Sequence, residues 1–125
     1  MKWLTLDMVL AIHARSLVDH GGAAGIRDQG LLESALSKPL NLAAYSTASL
    51  GEFAAAYFDG LIKNHPFLDG NKRTAFLSAY VFLGLNGKEL QADEDEAAAI
   101  VYDYAAGRVS RAEIANWFDL KLKKV

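Results

Sequence analysis

The stretch that organises this 125-residue chain runs from His65 to Arg73 and reads His-Pro-Phe-Leu-Asp-Gly-Asn-Lys-Arg. It brings together an imidazole, a carboxylate, an amide, an ammonium and a guanidinium. Its proline restricts the backbone, and its glycine lets the backbone approach a ligand closely. Apolar segments with helical period flank it on both sides. A dense polar loop between two core-like helices favours a functional site over a surface turn.

Both flanking segments have recognisable limits. Upstream, residues 49–52 have the spacing of a capping box, and Pro66 prevents that helix from continuing beyond Asn64. Downstream, apolar positions between Ala75 and Leu83 predict a helix that is apolar nearly all round. We therefore expect this second helix at the centre of the fold.

The N-terminal half carries two further helix signals. Thr5 is a predicted N-cap, and Gly21-Gly22 ends the helix that follows. Asp28 predicts the start of a short helix that stops before Pro39. Residues 40–48 have no clear period and are expected to form a connector.

The C-terminal part completes the fold class. Residues 93–96 and 110–113 have the spacing of helix starts, and residues 88–92 predict a short extended piece. Strand signals are otherwise nearly absent. The sequence predicts an all-α fold, a single domain over residues 1–125, with about six helices and the polar loop between the third and fourth.

Composition narrows the function. The absence of cysteine excludes disulfides and thiolate metal sites, and a net charge of −2 argues against nucleic-acid binding driven by overall basicity. No apolar run approaches the roughly 20 residues that span a bilayer, and Asp7 interrupts the apolar N-terminal stretch that a signal peptide needs. The expectation is a soluble cytoplasmic protein.

The polar loop has the groups that bind a nucleotide polyphosphate. A helix N-terminus presents unpaired N–H groups and partial positive charge. Gly70 permits close approach, Asn71 either caps the helix or donates to a phosphate, and Lys72 and Arg73 add full positive charges. Asp69 is a predicted Mg²⁺ ligand. These residues match the requirements of phosphoryl transfer from ATP.

His65 completes the candidate site as a predicted general base, since imidazole titrates near neutral pH. Each group also has a simpler explanation. A lone histidine after a helix is often a solvated turn residue, an Asp-Gly pair is often only a turn, and Lys72 and Arg73 alone would suit a solvated face. Their combination in one loop favours function. A metal site of His13, His20 and His65 is disfavoured because the spacing does not suit ligands.

The stretch HPFLDGNKRTAF resembles the signature of the Fic/Doc superfamily, and within it the Doc (death-on-curing) toxins. Fic proteins carry H-P-F-x-x-G-N-G-R-x-x-R; here Lys72 replaces the second glycine and Phe76 the last arginine, as in the Doc branch. The region from His13 to Leu36, with Gly21-Gly22, Gly25 and Arg27-Asp28, also resembles the N-terminal part of Doc proteins.

The resemblance implies specific roles. His65 matches the catalytic general base, Asp69 the residue that holds Mg²⁺, and residues 71–73 the anion-binding helix end. It implies a protein kinase that uses ATP and Mg²⁺ to phosphorylate a threonine of elongation factor Tu and so inhibits translation. Fic-type AMP transfer, or a catalytically decayed helical module that binds an antitoxin, remain alternatives. Lys72 and Phe76 favour the kinase.

The resemblance also implies a partner. Many Fic proteins inhibit themselves through a Ser/Thr-x-x-x-Glu-Gly/Asn motif, which this chain lacks. Inhibition would then come from an antitoxin whose C-terminal helix packs in a groove near the active site. Operator DNA would be contacted only through that antitoxin.

Overall fold

The structure, a computed structural model, describes residues 1–125 and contains six helices and one two-stranded antiparallel sheet. The predicted all-α class is confirmed, and the polar loop lies between the third and fourth helices, as predicted. None of the six helices combines the length and the hydrophobicity that a membrane span requires. The elements are α1 (Leu6–His20), α2 (Gln29–Tyr45), α3 (Leu50–Asn64), α4 (Asn71–Leu85), β1 (Lys88–Leu90), α5 (Glu94–Ala105), α6 (Arg111–Leu120) and β2 (Leu122–Lys124).

The central helix is α3. Every residue from Phe53 to Leu61 is buried, and α2, α4 and α6 all pack against this helix. The prediction that the helix after the polar loop is the central one is wrong: α4 also packs against α1 and β1, but Tyr80 in its middle is 42% exposed, so it lacks the unbroken buried run of α3. Small residues explain the difference: a Cβ on Gly60 would lie only 3.1 Å from the Cα of Ala35 on α2. Counting the large apolar residues of a sequence does not detect such close approach between helices.

Helix α2 is longer than its sequence indicates. The predicted stop before Pro39 and the connector over residues 40–48 are wrong, since α2 continues to Tyr45 with the proline inside it. Proline removes one intrahelical hydrogen bond and normally breaks a helix. Here Leu32, Ala35 and Pro39 form one buried face, and α2 packs against α3. Tertiary packing therefore overrides the local breaker.

The helix starts predicted from capping residues, including that of α2, are correct. The N-cap side chain accepts a hydrogen bond from a backbone N–H of the first turn in five helices, and both α3 and α6 have complete capping boxes. The extended piece predicted after α4 is β1, which pairs with the unpredicted β2. The capping residues are Thr5, Asp28, Ser49, Asp93 and Ser110.

A buried carboxylate joins four helices. Asp59 of α3 accepts a short hydrogen bond from the hydroxyl of Tyr104 on α5. Its carboxylate also lies 3.1 Å from Lys63, 3.4 Å from Arg111 of α6 and 3.9 Å from Lys38 of α2. Burial alone would raise the pKa of Asp59, but the hydrogen bonds from Tyr104 and Lys63 and the nearby cations outweigh it and hold the pKa below its usual value. The ionised carboxylate is thus part of the folded core.

Replacing Tyr104 with phenylalanine tests this cluster. The change removes one donor from a buried carboxylate while it keeps the ring, so we expect the free energy of unfolding to fall by about 1–3 kcal/mol. Urea denaturation followed by circular dichroism measures it. Tyr102→Phe is the matched control, because Tyr102 lies on the same helix and is 64% exposed. Equal losses in both variants would contradict the proposed contribution of the Asp59 cluster.

Candidate active site

His65 follows the last residue of α3 in a left-handed conformation, with φ 49° and ψ 54°. It is the only non-glycine residue with positive φ. This conformation costs roughly 1–2 kcal/mol for a residue with a Cβ, and such strain persists where the surrounding structure enforces it. The residue is exposed, so its imidazole is open to a substrate.

Phe67 anchors the loop in the core. Its side chain is fully buried, and its ring stacks on that of His13 from α1 with 3.8 Å between centroids. The Phe67 N–H donates to Oδ1 of Asn71 and its carbonyl accepts from Nδ2 of Asn71, both at 2.9 Å. Phe67 is therefore the buried anchor of the polar loop.

The same contacts correct the expectation for Asn71. The sequence predicts that its side chain caps α4 or donates to a phosphate, but this side chain is only 4% exposed and both its oxygen and its nitrogen bond to Phe67. Helix α4 accordingly has no side-chain N-cap. Because the side-chain amide of Asn71 is bonded to Phe67, only its backbone N–H remains for a ligand.

The N-terminus of α4 is open. Gly70 precedes the helix with φ 77°, and the first helical N–H with a partner is that of Thr74, which donates to the Gly70 carbonyl at 2.9 Å. The N–H groups of residues 71–73 have no partner within the protein. The exposed side chains of Lys72 and Arg73 lie at this same helix end. Free N–H groups and two cations together favour an anion.

Asp69 lies beside this helix end, and backbone N–H groups fix its carboxylate. Its Oδ2 accepts from the N–H of Ala23 at 3.2 Å, its Oδ1 from that of Gly70 at 2.9 Å, and its carbonyl oxygen lies 2.8 Å from Nε2 of His13. The Ala23 and then the Gly70 hydrogen bonds hold the pKa of Asp69 below its usual value. Each carboxylate oxygen keeps a free lone pair, which suits a Mg²⁺ ion bound by one carboxylate, phosphate oxygens and water. No group of three or more metal-ligating side chains lies together.

One cavity of about 240 Å³ joins these groups. Every site residue predicted from the sequence contributes to its wall, although Asn71 contributes as described above. The structure therefore brings the whole predicted set together. The lining residues are His65, Leu68, Asp69, Gly70, Asn71, Lys72 and Arg73.

A second cavity, of about 360 Å³, opens beside the first and shares Lys72 and Arg73 with it. It lies between α4 and α5, with His20 from the end of α1 at its edge. Its wall is mostly apolar, in contrast to the first cavity. The other lining residues are Phe76, Leu77, Ala97, Ala98, Val101 and Tyr102.

Sequence reasoning missed the other half of the loop's support, the segment 22–28 between α1 and α2. The N–H of Leu68 donates to the Gly25 carbonyl at 3.1 Å, and Ile26 forms an antiparallel bridge with Phe67. The guanidinium of Arg27 donates to the carbonyl of His65 at 2.6 Å. The glycines clustered in this segment were the available signal, but they do not show that the segment pairs with the polar loop.

Sequence comparison agrees with this geometry. A model of the Fic/DOC family matches residues 3–83, which include α1, α2, α3 and most of α4. The chain therefore belongs to the Fic/Doc family, and the resemblance noted from the motif is confirmed. The matched region contains both the polar loop and the segment that supports it.

Two curated relatives belong to the Doc branch. Toxin Doc of Mycolicibacterium smegmatis is 43% identical over 79 residues, which cover 60% of this chain and 59% of that protein. Protein kinase doc of Escherichia phage P1 is 31% identical over 117 residues, which cover 93% of this chain and 92% of that protein. The similarity to the phage protein thus extends over nearly the whole fold.

The lowered pKa of Asp69 has a measurable consequence. A carboxylate with a lowered pKa in the folded state contributes its stabilising contacts above its unfolded pKa and loses them as the pH falls through its folded pKa. We expect the amide proton shifts of Ala23 and Gly70 to titrate together with a midpoint below about 3.9. Two-dimensional NMR across the acid range measures this midpoint.

Asp69→Asn is the control for that titration, since an amide cannot ionise and offers only one acceptor oxygen. In this variant the two amide signals should not titrate in the acid range. A common midpoint at or above the ordinary aspartate value in the unmodified protein would contradict the contacts described for Asp69.

Proposed function

We propose that this protein is a Doc-type toxin, a protein kinase that transfers the γ-phosphate of ATP to a threonine hydroxyl of elongation factor Tu and so inhibits translation. The observation that carries the proposal is the single cavity that collects His65, Asp69 and the open, cationic end of α4. Membership of the Fic/Doc family and likeness to a relative named protein kinase doc support it. On this proposal the protein acts in the cytoplasm, together with its substrate.

Each residue of the site has a separate role in the proposed phosphoryl transfer. His65 accepts the proton of the attacking threonine hydroxyl, whose oxygen bonds to the γ-phosphorus while the bond to the β–γ bridging oxygen breaks and ADP leaves. Lys72, Arg73 and the free N–H groups of α4 hold the phosphates. Asp69 would hold Mg²⁺, which when bound neutralises phosphate charge. The first cavity, at about 240 Å³, is small for a whole nucleotide and suits its phosphates.

Two positions favour γ-phosphate transfer over AMP transfer. Lys72 places a long cationic side chain where Fic proteins have a glycine that lets phosphate reach the backbone. Phe76, one turn further along α4, is half-buried and lines the apolar second cavity. A guanidinium at that position would instead supply a bidentate phosphate contact. The phosphates of ATP therefore meet a different set of charges here than in Fic enzymes.

Labelled ATP distinguishes the candidate reactions. Purified protein with Mg²⁺ and elongation factor Tu should transfer label from γ-labelled but not α-labelled ATP, and His65→Ala should lower the rate by about a hundredfold or more, because general base catalysis contributes roughly 10²–10⁴. Thermal unfolding checks that the variant is folded. Label from α-labelled ATP alone would establish AMP transfer. No label from either, with no growth arrest on expression in bacteria, would establish the decayed module.

We further propose an antitoxin whose C-terminal helix packs into the second cavity. That cavity is apolar along α4 and α5 and carries His20, Lys72 and Arg73 at one side. An amphipathic helix with acidic residues suits such a groove, since its apolar face fills the cavity and its carboxylates pair with the cations. The net charge of −2 argues against direct binding of DNA by this chain and so supports contacts to operator DNA made by the antitoxin.

Val101→Glu tests this partner. The new carboxylate would lie in the apolar wall of the second cavity, so we expect the affinity for the antitoxin to fall by about tenfold or more while growth arrest in its absence persists. Titration calorimetry and rescue of growth by co-expressed antitoxin are the measurements. Val125→Glu is the matched control, because Val125 is 80% exposed and lies outside the cavity. Unchanged antitoxin binding by Val101→Glu would rule out this groove.

A further inference from the structure

Arg27 makes two contacts with the end of α3. Its Nε donates to the carbonyl of His65 at 2.6 Å, and its Nη2 donates to the carbonyl of Asn64 at 2.8 Å. These carbonyls belong to the C-terminal end of the helix, where unpaired carbonyls carry partial negative charge. A planar, charged fork of donors matches two adjacent carbonyls better than any other side chain. The guanidinium thus caps the C-terminal end of α3, at the residue where the chain leaves the helix.

The backbone of the same segment holds the next residue. The N–H groups of Arg27 and Asp28 both donate to the carbonyl of Pro66, at 2.7 and 3.0 Å. Two successive peptide units, those that follow His65 and Pro66, are therefore bound to one short segment. Because His65 has φ 49°, which a residue with a Cβ rarely adopts, these contacts set the direction in which its imidazole leaves the backbone.

We infer that Arg27 is a positioning residue for His65: it holds the left-handed backbone that directs the imidazole toward the reacting hydroxyl. The inference rests on the proposed role of His65 as general base. Arg27 does not line the cavity that the phosphates would occupy. Its loss should therefore affect turnover rather than nucleotide affinity, whereas a general loss of structure would affect both.

Arg27→Gln removes the charge and cannot reach both carbonyls. We expect turnover with γ-labelled ATP and elongation factor Tu to fall by about tenfold to a hundredfold, as a misplaced catalytic group does, while the KM for ATP stays within about twofold. Arg27→Lys, which keeps a cation and one contact, should show an intermediate loss. Arg15→Gln is the matched control: Arg15 is exposed, pairs only with Asp19 on α1, and should keep full turnover.

A measurement independent of activity reports on the backbone itself. The ¹³Cα and ¹³Cβ shifts of His65 depend chiefly on its φ and ψ, so they should move in Arg27→Gln and stay unchanged in Arg15→Gln. Wild-type turnover in Arg27→Gln, or an equal rise in KM and fall in turnover, would overturn the inference. If Arg27→Gln does not fold, full turnover in Arg27→Lys would overturn it.

The two proposals can fail separately. If the wild-type protein transfers neither label, the kinase assignment fails, and the role of Arg27 is then decided by the NMR shifts alone. Unchanged His65 shifts in a folded Arg27→Gln protein would overturn the positioning role whatever the activity is. Shifted His65 resonances would support it even if the reaction proves to be AMP transfer.

Discussion

The burial of Phe67 is the constraint on which the rest of the site depends. Its ring lies fully inside the core against His13, and the amide of Asn71 binds both of its backbone groups. Burying a phenylalanine side chain stabilises a fold by roughly 1.5–3 kcal/mol, and the paired backbone groups avoid the penalty of unmet hydrogen bonds. The polar residues on either side can therefore face solvent without the loop becoming loose. His65 precedes this anchor and Asp69 follows it.

Within the motif, structural and chemical roles belong to different atoms of neighbouring residues. The side chain of Asn71 supports the loop, while its backbone N–H faces the cavity together with those of Lys72 and Arg73. Asp69 does both, since each oxygen accepts one N–H and retains a lone pair for a ligand. A sequence motif records only that a residue type is present. It does not say which of that residue's groups meets the substrate.

Net charge is a poor guide to this site. The chain carries −2 overall, yet the end of α4 combines two exposed cations with three free N–H groups. Asp59, for example, lies beside three cations within the fold and does not line the cavity. Local arrangement, rather than total charge, makes the site suitable for phosphate because charges on a protein surface are screened over about 10 Å.

The sequence by itself determined the helical class, most helix starts and the composition of the active loop, because caps, turns and apolar period act over a few residues. It did not determine that α2 continues through Pro39, that α3 rather than α4 is central, or that Asn71 bonds to Phe67. Nor did it show that Arg27 reaches the end of α3. These outcomes depend on contacts between segments far apart in the chain, whose energies exist only once the helices have packed. The sequence supplied the chemical groups, and packing decided which of them face the cavity.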